Sequence, residues 1–312
     1  MSACIKVDGL KKYYGDVKAV DGISFEVEQG TIFGMLGRNG AGKTTTIETL
    51  IGLTDRTGGH IEVLGLDPAQ DLEELKERIG VQLQSPVLFS HLTVKETLDL
   101  FASFYENPIE PEEVIEMLGL KDKENSSMDS LSGGQFHRVA VALAIISNGD
   151  IIFLDEPTTG LDPQARRKVW DTIARLKEKD KTIFLTTHFM DEAEILCDSL
   201  VIIDTGKLIA EGSPEDLINQ YFAEQTIEFV NSNLDQGLLQ GYENLNGVLQ
   251  LEHYKNKNLV KLHTDDASTT IKELIDFSCK TGNTIEKLQL RKPGLEDLFL
   301  KLTGSEIKDE EF

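Results

Sequence analysis

The sequence predicts an α/β domain followed by a small α+β domain, and three observations support this fold class. The apolar runs 151–154 and 182–187 are typical of strands that are buried on both faces of a parallel sheet. Segments with apolar residues at helical spacing alternate with such strands over residues 1–221. Beyond that point the pattern changes to short alternating strands with helices, which predicts a second domain over residues 222–312.

The composition is that of a globular protein with a strong acidic bias. The 312 residues include 54 Asp and Glu against 31 Lys and Arg, a formal net charge of −23. A field of this sign repels nucleic-acid phosphates, so we expect no nucleic-acid partner. No apolar run reaches the roughly 18 residues of a transmembrane helix, and the start lacks the apolar core of a secretion signal. The scattered Cys4, Cys197 and Cys279 indicate neither disulfides nor a metal cage.

Two strands are predicted ahead of the main motif, over residues 4–10 and 23–27, with a break at residues 11–16. Tyr14 lies in this break. An aromatic ring at this place stacks on an adenine or covers an edge strand, and local sequence leaves both interpretations open.

The strongest chemical signal is a short glycine-rich stretch. Residues 37–44 match the phosphate-binding pattern G-x-x-x-x-G-K-[ST], between a predicted strand and a predicted helix. Loop amides and the helix N-terminus direct partial positive charge at a phosphate. We expect Lys43 to reach the terminal phosphates and the Thr44 hydroxyl to complete a Mg²⁺ shell. The expected nucleotide contacts of this stretch are Gly37, Arg38, Asn39, Gly40, Ala41, Gly42, Lys43, Thr44 and Thr45.

A helical insert interrupts the strand and helix alternation over about residues 85–148. Thr93 and Glu96 predict a capping box at the start of one of its helices. The elements predicted from the glycine-rich stretch onward are a strand over 59–65, a helix over 71–78, a strand over 79–84 that ends on Gln84, a turn at Ser85–Pro86, and helices over 93–105 and 111–118.

A second anion-binding pattern precedes the apolar helix 138–146. Ser132, Gly133 and Gly134 stand at the predicted helix start, where free backbone amides attract anions. Glycine-rich helix starts are also common without any ligand, so both interpretations stay open here.

Acidic residues follow one buried strand and a histidine follows another. The strand 151–154 delivers Asp155 and Glu156 to the edge where open α/β sheets bind ligands. We expect Asp155 to hold Mg²⁺ and Glu156 to polarise an attacking water, the alternative being an acidic pair that caps a helix. His188 ends the strand 182–187 and either contacts a terminal phosphate or is structural.

Together these residues resemble the ATP-binding subunit of ABC transporters, from residue 5 to about residue 221. The resemblance implies a P-loop NTPase fold, with a mixed sheet and a helical subdomain over about residues 85–148. The motifs follow the order of the family: the aromatic Tyr14, Walker A at 37–44, the Q-loop Gln84, the signature at 131–135, Walker B at 151–155 with Glu156, the D-loop at 160–162 and the switch His188.

The resemblance also implies functions for individual residues. Gln84 would sense the γ-phosphate and Mg²⁺ beside the groove that receives a permease. A second subunit would contribute the signature residues Ser132, Gly133, Gly134 and Gln135 and the D-loop Asp162. The implied catalytic residues are Lys43, Gln84, Glu156 and His188, and the implied metal ligands are Thr44, Gln84 and Asp155.

The implied function is ATP hydrolysis that powers transport. Two copies of the chain would form a homodimer on ATP and Mg²⁺ and dock under an integral-membrane permease, at the cytoplasmic face of the cell membrane. A soluble ABC ATPase that acts on ribosomes or nucleic acid is the first alternative; one motif set and strong acidity argue against it. A subunit that binds ATP without turnover is the second, and Glu156 with His188 argues against that. Arg38, Phe136 and Gly149 depart from the usual family residues without removing a phosphate or metal ligand.

The second domain contains no catalytic constellation. Its closing run 292–304 resembles the C-terminal extension of ATPases that drive drug, bacteriocin or polysaccharide exporters, which implies export and a role in dimer contacts or regulation. The alternative is a lid that only buries apolar surface. His253 and His263 are expected to be cross-strand surface residues. The predicted elements are strands over 226–230, 248–254, 259–264 and 284–290, a helix that ends at Gly282, and a final helix over 295–302.

Overall fold

The computed structural model describes residues 2–84, 88–222 and 224–304. Contacts divide this part of the chain into a first unit that ends at Pro214 and a second unit over Glu215–Gly304. The sequence analysis set the boundary after residue 221. The predicted turn at Ser85–Pro86 lies outside the described residues.

The first unit contains both strands and helices. The strands are β1 (Ala3–Tyr14), β2 (Val17–Glu28), β3 (Ile32–Leu36), β4 (Gly58–Val63), β5 (Ile79–Gln82), β6 (Ile151–Asp155), β7 (Thr182–Thr187), β8 (Ser199–Asp204) and β9 (Lys207–Gly212). The helices are α1 (Lys43–Leu50), α2 (Leu72–Arg78), α3 (Val94–Ala102), α4 (Pro111–Met117), α5 (Gly133–Ile146), α6 (Pro163–Glu178) and α7 (Met190–Leu196).

A mixed sheet forms the centre of the first unit. In the described chain it has six strands in the order β5-β6-β7-β3-β8-β9, all parallel except β9, which runs antiparallel to β8. Every residue of β3, β6 and β7 is buried, as the apolar runs predict for a sheet covered on both faces. The rings of Phe25, Phe33 and Phe184 stack within the core, with Phe33 5.3 Å from Phe25 and 5.4 Å from Phe184. The sheet therefore brings the carboxyl ends of β3, β6 and β7 side by side.

The predicted break at residues 11–16 is wrong, because β1 continues through Tyr14. One face of the antiparallel sheet β2-β1-β4 is open to solvent, so the charged residues after Leu10 do not end the strand. Gly15, with a φ of 59°, and Asp16 form the two-residue turn into β2.

The strand before the helical insert is shorter than predicted, since β5 ends at Gln82 and leaves Gln84 outside the strand. Gly80 permits close packing of helix α5 on β5, because a Cβ there would lie 2.0 Å from the carbonyl oxygen of Ala144. Helices α3, α4 and α5 confirm a helical insert, and Thr93 and Glu96 form the predicted capping box. The sequence analysis named no elements for α6, α7, β8 and β9.

The second unit is a four-stranded antiparallel sheet with helices. Its described strands pair in the order β11-β12-β10-β13. Ile227, Phe229 and Tyr242 belong to its apolar core, and Gly282, with a φ of 68°, caps a helix at the predicted residue. Its elements are α8 (Pro214–Tyr221), β10 (Gln225–Val230), α9 (Gln236–Glu243), β11 (Val248–Tyr254), β12 (Leu259–Thr264), α10 (Ala267–Thr281), β13 (Glu286–Arg291) and α11 (Leu295–Thr303).

Among the residues that the structure describes, no helix is both long and apolar enough to cross a bilayer.

Candidate active site

A cavity of about 420 Å³ lies over the glycine-rich stretch between β3 and α1. Its lining contains most of that stretch together with Gln84 and Glu156, as predicted. Four further lining residues, which belong to no motif, were not predicted from the sequence: Val17, Lys18, Ala19 and Thr205. The lining consists of Val17, Lys18, Ala19, Arg38, Asn39, Gly40, Gly42, Lys43, Thr44, Thr45, Gln84, Glu156 and Thr205.

Two glycines of the stretch are required by close backbone approach. A Cβ on Gly37 would lie 2.5 Å from the carbonyl oxygen of Ile203. Gly42 has a φ of 107°, and a Cβ there would lie 2.4 Å from the carbonyl oxygen of Ala19. Helix α1 begins at the next residue, so its first amide groups lie beside the cavity.

Lys43 is buried and fully engaged with protein groups. Its Nζ donates to the carbonyl oxygens of Gly37 at 2.8 Å and Arg38 at 3.1 Å. It also lies 3.1 Å from Oε1 of Glu156, and both side chains are about 5% exposed or less. Since an ammonium group has three donors, a phosphate must displace one of these partners to bind Lys43.

Asp155 and Thr44 place two oxygen atoms together at the end of β6. The Thr44 hydroxyl donates to Oδ2 of Asp155 at 2.9 Å, and the Thr186 hydroxyl donates to Oδ1. Burial raises the pKa of Asp155, and the two hydroxyl donors oppose that shift. A carboxylate and a hydroxyl are ligands that Mg²⁺ prefers, so these residues fit the ion. Within the described ranges no group of three or more His, Cys, Asp or Glu is arranged to hold a metal.

Glu156 is the meeting point of four segments. Besides Lys43, its Oε2 accepts from Nε2 of Gln84 at 3.3 Å and from the Thr159 hydroxyl at 3.2 Å. Nδ1 of His188 lies 3.2 Å from the same oxygen. The structure thus brings together all four residues that were predicted to be catalytic.

The electrostatics and backbone of Glu156 are both unusual. Burial raises the pKa of the carboxyl group, but the contact with His188 and the charge of Lys43 outweigh burial and lower it to about 2. The residue has a φ of 52°, a left-handed conformation that costs energy for a side chain of this size. Its backbone N–H lies 3.1 Å from both the carbonyl and the hydroxyl oxygen of Thr186, contacts that hold this conformation.

Tyr14 is not among the described residues that line the cavity. Its side chain is 48% exposed, and Nζ of Lys12 lies 4.7 Å from its ring centroid. Stacking of Tyr14 on an adenine therefore stays a prediction.

The signature residues and Asp162 also lie away from the lining. Ser132 caps α5 in a capping box with Gln135, beside Gly133 and Gly134. Asp162 caps α6, where its Oδ1 accepts from the backbone N–H groups of Gln164 and Ala165, both at 2.9 Å. The amide groups at the start of α5 are those that the family resemblance assigns to a nucleotide on a second subunit.

Sequence reasoning missed one buried carboxylate behind the site. Glu192 of α7 is 0% exposed, and its Oε1 accepts from the Thr158 hydroxyl at 2.8 Å and from Nε1 of Trp170 at 2.9 Å. It therefore joins the segment after Glu156 to the helix after His188. An acidic residue four positions before the buried Leu196, on the same helix face, is the sequence signal that could have found it.

Gln82 was missed as well. It is 2% exposed, and its Nε2 donates to the carbonyl oxygen of Asp155 at 3.1 Å. Gln82 lies two residues before Gln84, at the end of β5, but it is not the glutamine of the Q-loop motif.

A glycine loop between β3 and α1, carboxylates at the end of β6 and a histidine after β7 define a P-loop nucleoside triphosphatase. Residues 20–159 match the family described as ABC transporter. Together with the relatives described next, this match shows that the chain belongs to the ABC transporter ATP-binding proteins and is an ATPase.

Curated relatives align over nearly the whole chain. The Nod factor export ATP-binding protein I of Ralstonia nicotianae is 35% identical over 310 residues, which cover 98% of this chain and 95% of the relative. The linearmycin resistance ATP-binding protein LnrL of Bacillus subtilis is 31% identical, covering 98% of this chain and all of the relative.

Solved structures match about two thirds of the chain or slightly more. An ATP-binding subunit of an ABC transporter superposes with a TM-score of 0.64 at 30% identity, over 70% of this chain and 93% of its own. A dimeric ATP-binding cassette in a post-hydrolysis state with ADP and Pi gives a TM-score of 0.62 at 25% identity, over 67% of this chain and 98% of its own. The predicted family, fold class and ATPase activity are thereby confirmed.

Proposed function

We propose that this chain hydrolyses ATP as a homodimer and powers export through a separate integral-membrane permease, at the cytoplasmic face of the membrane. The observation that carries the hydrolytic part is the convergence of Lys43, Gln84 and His188 on the carboxylate of Glu156. A buried carboxylate with a pKa of about 2 stays ionised at neutral pH, as a group that orients and polarises water must.

Six residues at or beside the cavity take a defined part in this proposal. Lys43 leaves Glu156 for the β- and γ-phosphates, which frees the carboxylate to receive a proton from the attacking water. His188 contacts the γ-phosphate, and Gln84 reports its presence. Thr44 and Asp155, with Gln84, would hold Mg²⁺, which neutralises phosphate charge when bound.

The dimer is supported by what the cavity lacks. Ser132 and the start of α5 are not among the described residues of its lining. The amide groups at the start of α5 in a second copy would contact the γ-phosphate, close the site around it and help to stabilise the transition state. The structural relative that is dimeric in a post-hydrolysis state supports the same arrangement.

Export is supported by the relatives. The names of the two curated proteins state Nod factor export and linearmycin resistance, and their similarity extends through the second unit of this chain. Neither name identifies the cargo of this chain.

A complementation experiment tests the shared site. Ser132→Arg and Glu156→Gln each abolish activity alone, but a heterodimer of the two contains one site in which Ser132 and Glu156 are both intact. Random mixing makes half the dimers heterodimeric, so we expect roughly a quarter of the wild-type ATPase rate. Glu178→Gln, at an exposed residue, serves as the control. A mixture as inactive as its components would refute the composite site.

A pull-down tests the partner. The tagged chain is isolated from detergent-solubilised membranes, and we expect an integral-membrane protein to copurify in stoichiometric amount. Copurification with ribosomes or nucleic acid instead would refute the transport function.

A further inference from the structure

The second unit contains a cavity that ATP chemistry does not use. Its volume is about 480 Å³, within the range of small-molecule sites, and its described lining lies entirely within Glu215–Gly304. The floor is the face of the sheet opposite the apolar core. On β10, Ile227 and Phe229 point into the core, so Thr226 and Glu228 face the cavity.

Three basic side chains of the lining each lie beside a carboxylate. Nζ of Lys261 lies 2.8 Å from Oε1 of Glu228, and each side chain is 19% exposed. Nε2 of His263 lies 3.4 Å from Oε1 of Glu252. In the third pair, a guanidinium nitrogen of Arg291 lies 3.0 Å from Oδ1 of Asp297. The floor therefore presents donors and acceptors side by side rather than an excess of one charge.

Two aromatic rings supply apolar surface in the same cavity. The ring of Tyr254 is 46% exposed, and Nζ of Lys261 lies 5.5 Å from its centroid. Nζ of Lys301 lies 4.7 Å from the ring centroid of Phe222. Each ring thus stands beside a cation of the lining, with part of its surface open.

Paired charges and open rings select for one chemical class of ligand. A phosphate or carboxylate ligand would meet the carboxylates of Glu228 and Glu252, and a polyamine would meet Lys261 and Arg291. A hydroxyl group, by contrast, accepts from a cation and donates to its partner carboxylate at once. The C–H faces of a sugar ring are apolar and bury surface against aromatic rings. We propose that this cavity binds a neutral, hydroxyl-rich saccharide of one or two rings.

The test uses the full chain and defined probes. Binding of maltose and N,N′-diacetylchitobiose is measured by calorimetry and by saturation-transfer NMR, with glucose 6-phosphate and spermidine as charged comparators. We expect saturable binding of at least one neutral saccharide, and weaker binding of both charged probes. No saturable saccharide binding, or tighter binding of a charged probe, would overturn the proposal.

Variants locate the site. Glu228→Gln removes the acceptor charge of the central pair, and Tyr254→Ala removes a half-exposed ring without touching the core. Each is expected to weaken saccharide binding about tenfold, because Glu228→Gln loses one hydrogen bond to a charged group and Tyr254→Ala loses the apolar surface of one ring. Leu249→Ala, at a 54% exposed residue of β11 outside the lining, is the matched control and should bind as wild type. Unchanged affinity in both cavity variants, with melting curves that show a folded chain, would overturn the proposal.

Discussion

The ion pair between Lys43 and Glu156 predicts that Glu156→Gln binds ADP more tightly than the wild-type chain. In the structure, the ammonium group of Lys43 contacts the carbonyl oxygens of Gly37 and Arg38 and the carboxylate of Glu156. A bound nucleotide must break the ion pair between Lys43 and Glu156, and the free energy of breaking it lowers the affinity of the chain for the nucleotide. Glutamine has nearly the same shape but no charge, so it removes the competitor.

The magnitude follows from the distance. Two unit charges 3.1 Å apart attract by about 5 kcal/mol at an effective dielectric constant of 20, which is an upper bound because both groups lose hydration in the pair. The two carbonyl contacts of Lys43 persist in the variant. We therefore expect ADP affinity to rise by about tenfold to a hundredfold, or about 1.4 to 2.7 kcal/mol. The nucleotide-free variant should lose about 3 kcal/mol of unfolding free energy, since its lysine stays buried without a counter-charge.

Calorimetric titration with ADP and urea unfolding without nucleotide measure the two effects. ADP is used because it is not hydrolysed, which separates binding from turnover. Glu178→Gln removes an exposed carboxylate and should match the wild type in both assays. Equal or weaker ADP binding by Glu156→Gln would refute the competition between carboxylate and phosphate for Lys43.

Three further predictions follow from the site. The pKa of Glu156 is lowered from 4.5 to about 2 in the folded chain, so its ionised form stabilises the fold by about 3 kcal/mol. This contribution is complete above pH 4.5 and is lost as the pH falls towards 2. The unfolding free energies of the wild type and Glu156→Gln are measured by urea titration from pH 7 to 3. Their difference should become smaller below pH 4.5. Glu192→Gln should lower kcat about tenfold or more with KM for ATP nearly unchanged, because Glu192 positions the segments that carry Glu156 and His188 without lining the cavity. Steady-state kinetics and a melting curve test this prediction. A loss of stability with a normal kcat would contradict it. Gly42→Ala should abolish ADP binding in calorimetry, since its Cβ would lie 2.4 Å from the carbonyl oxygen of Ala19 in a backbone conformation that L-residues avoid, whereas Gly133→Ala, which meets no atom within 4 Å, should bind ADP normally.

The site residues that sequence could predict are those that end buried strands. The apolar runs identify β6 and β7, and parallel strands of one sheet bring their carboxyl ends to the same edge, so Asp155, Glu156 and His188 had to lie close together. The glycine pattern fixed Lys43 beside them. What the pattern did not contain is the direct contact between Lys43 and Glu156, which depends on side-chain geometry.

Other features depend on contacts that no local pattern contains. Ala19 and Thr205 reach the cavity from β2 and from the turn after β8, far from any motif. Glu192 is buried because Thr158 and Trp170, on two other segments, satisfy one of its oxygens. The predicted strand was shorter than β1 because the charged residues on the solvated face of β1 give the same sequence pattern as a loop.

Gly80 has a mechanical consequence for the far end of α5. The carbonyl oxygen of Ala144 lies against this residue, so a rotation of the 14-residue helix about this contact would move its first turn the most. Ser132 stands at the opposite end of a lever about 20 Å long. A tilt of about ten degrees would swing that serine by about 3.5 Å, roughly the reach of one hydrogen bond. In the proposed homodimer, a small rotation of the insert would therefore be enough to engage or release a phosphate bound by the other copy.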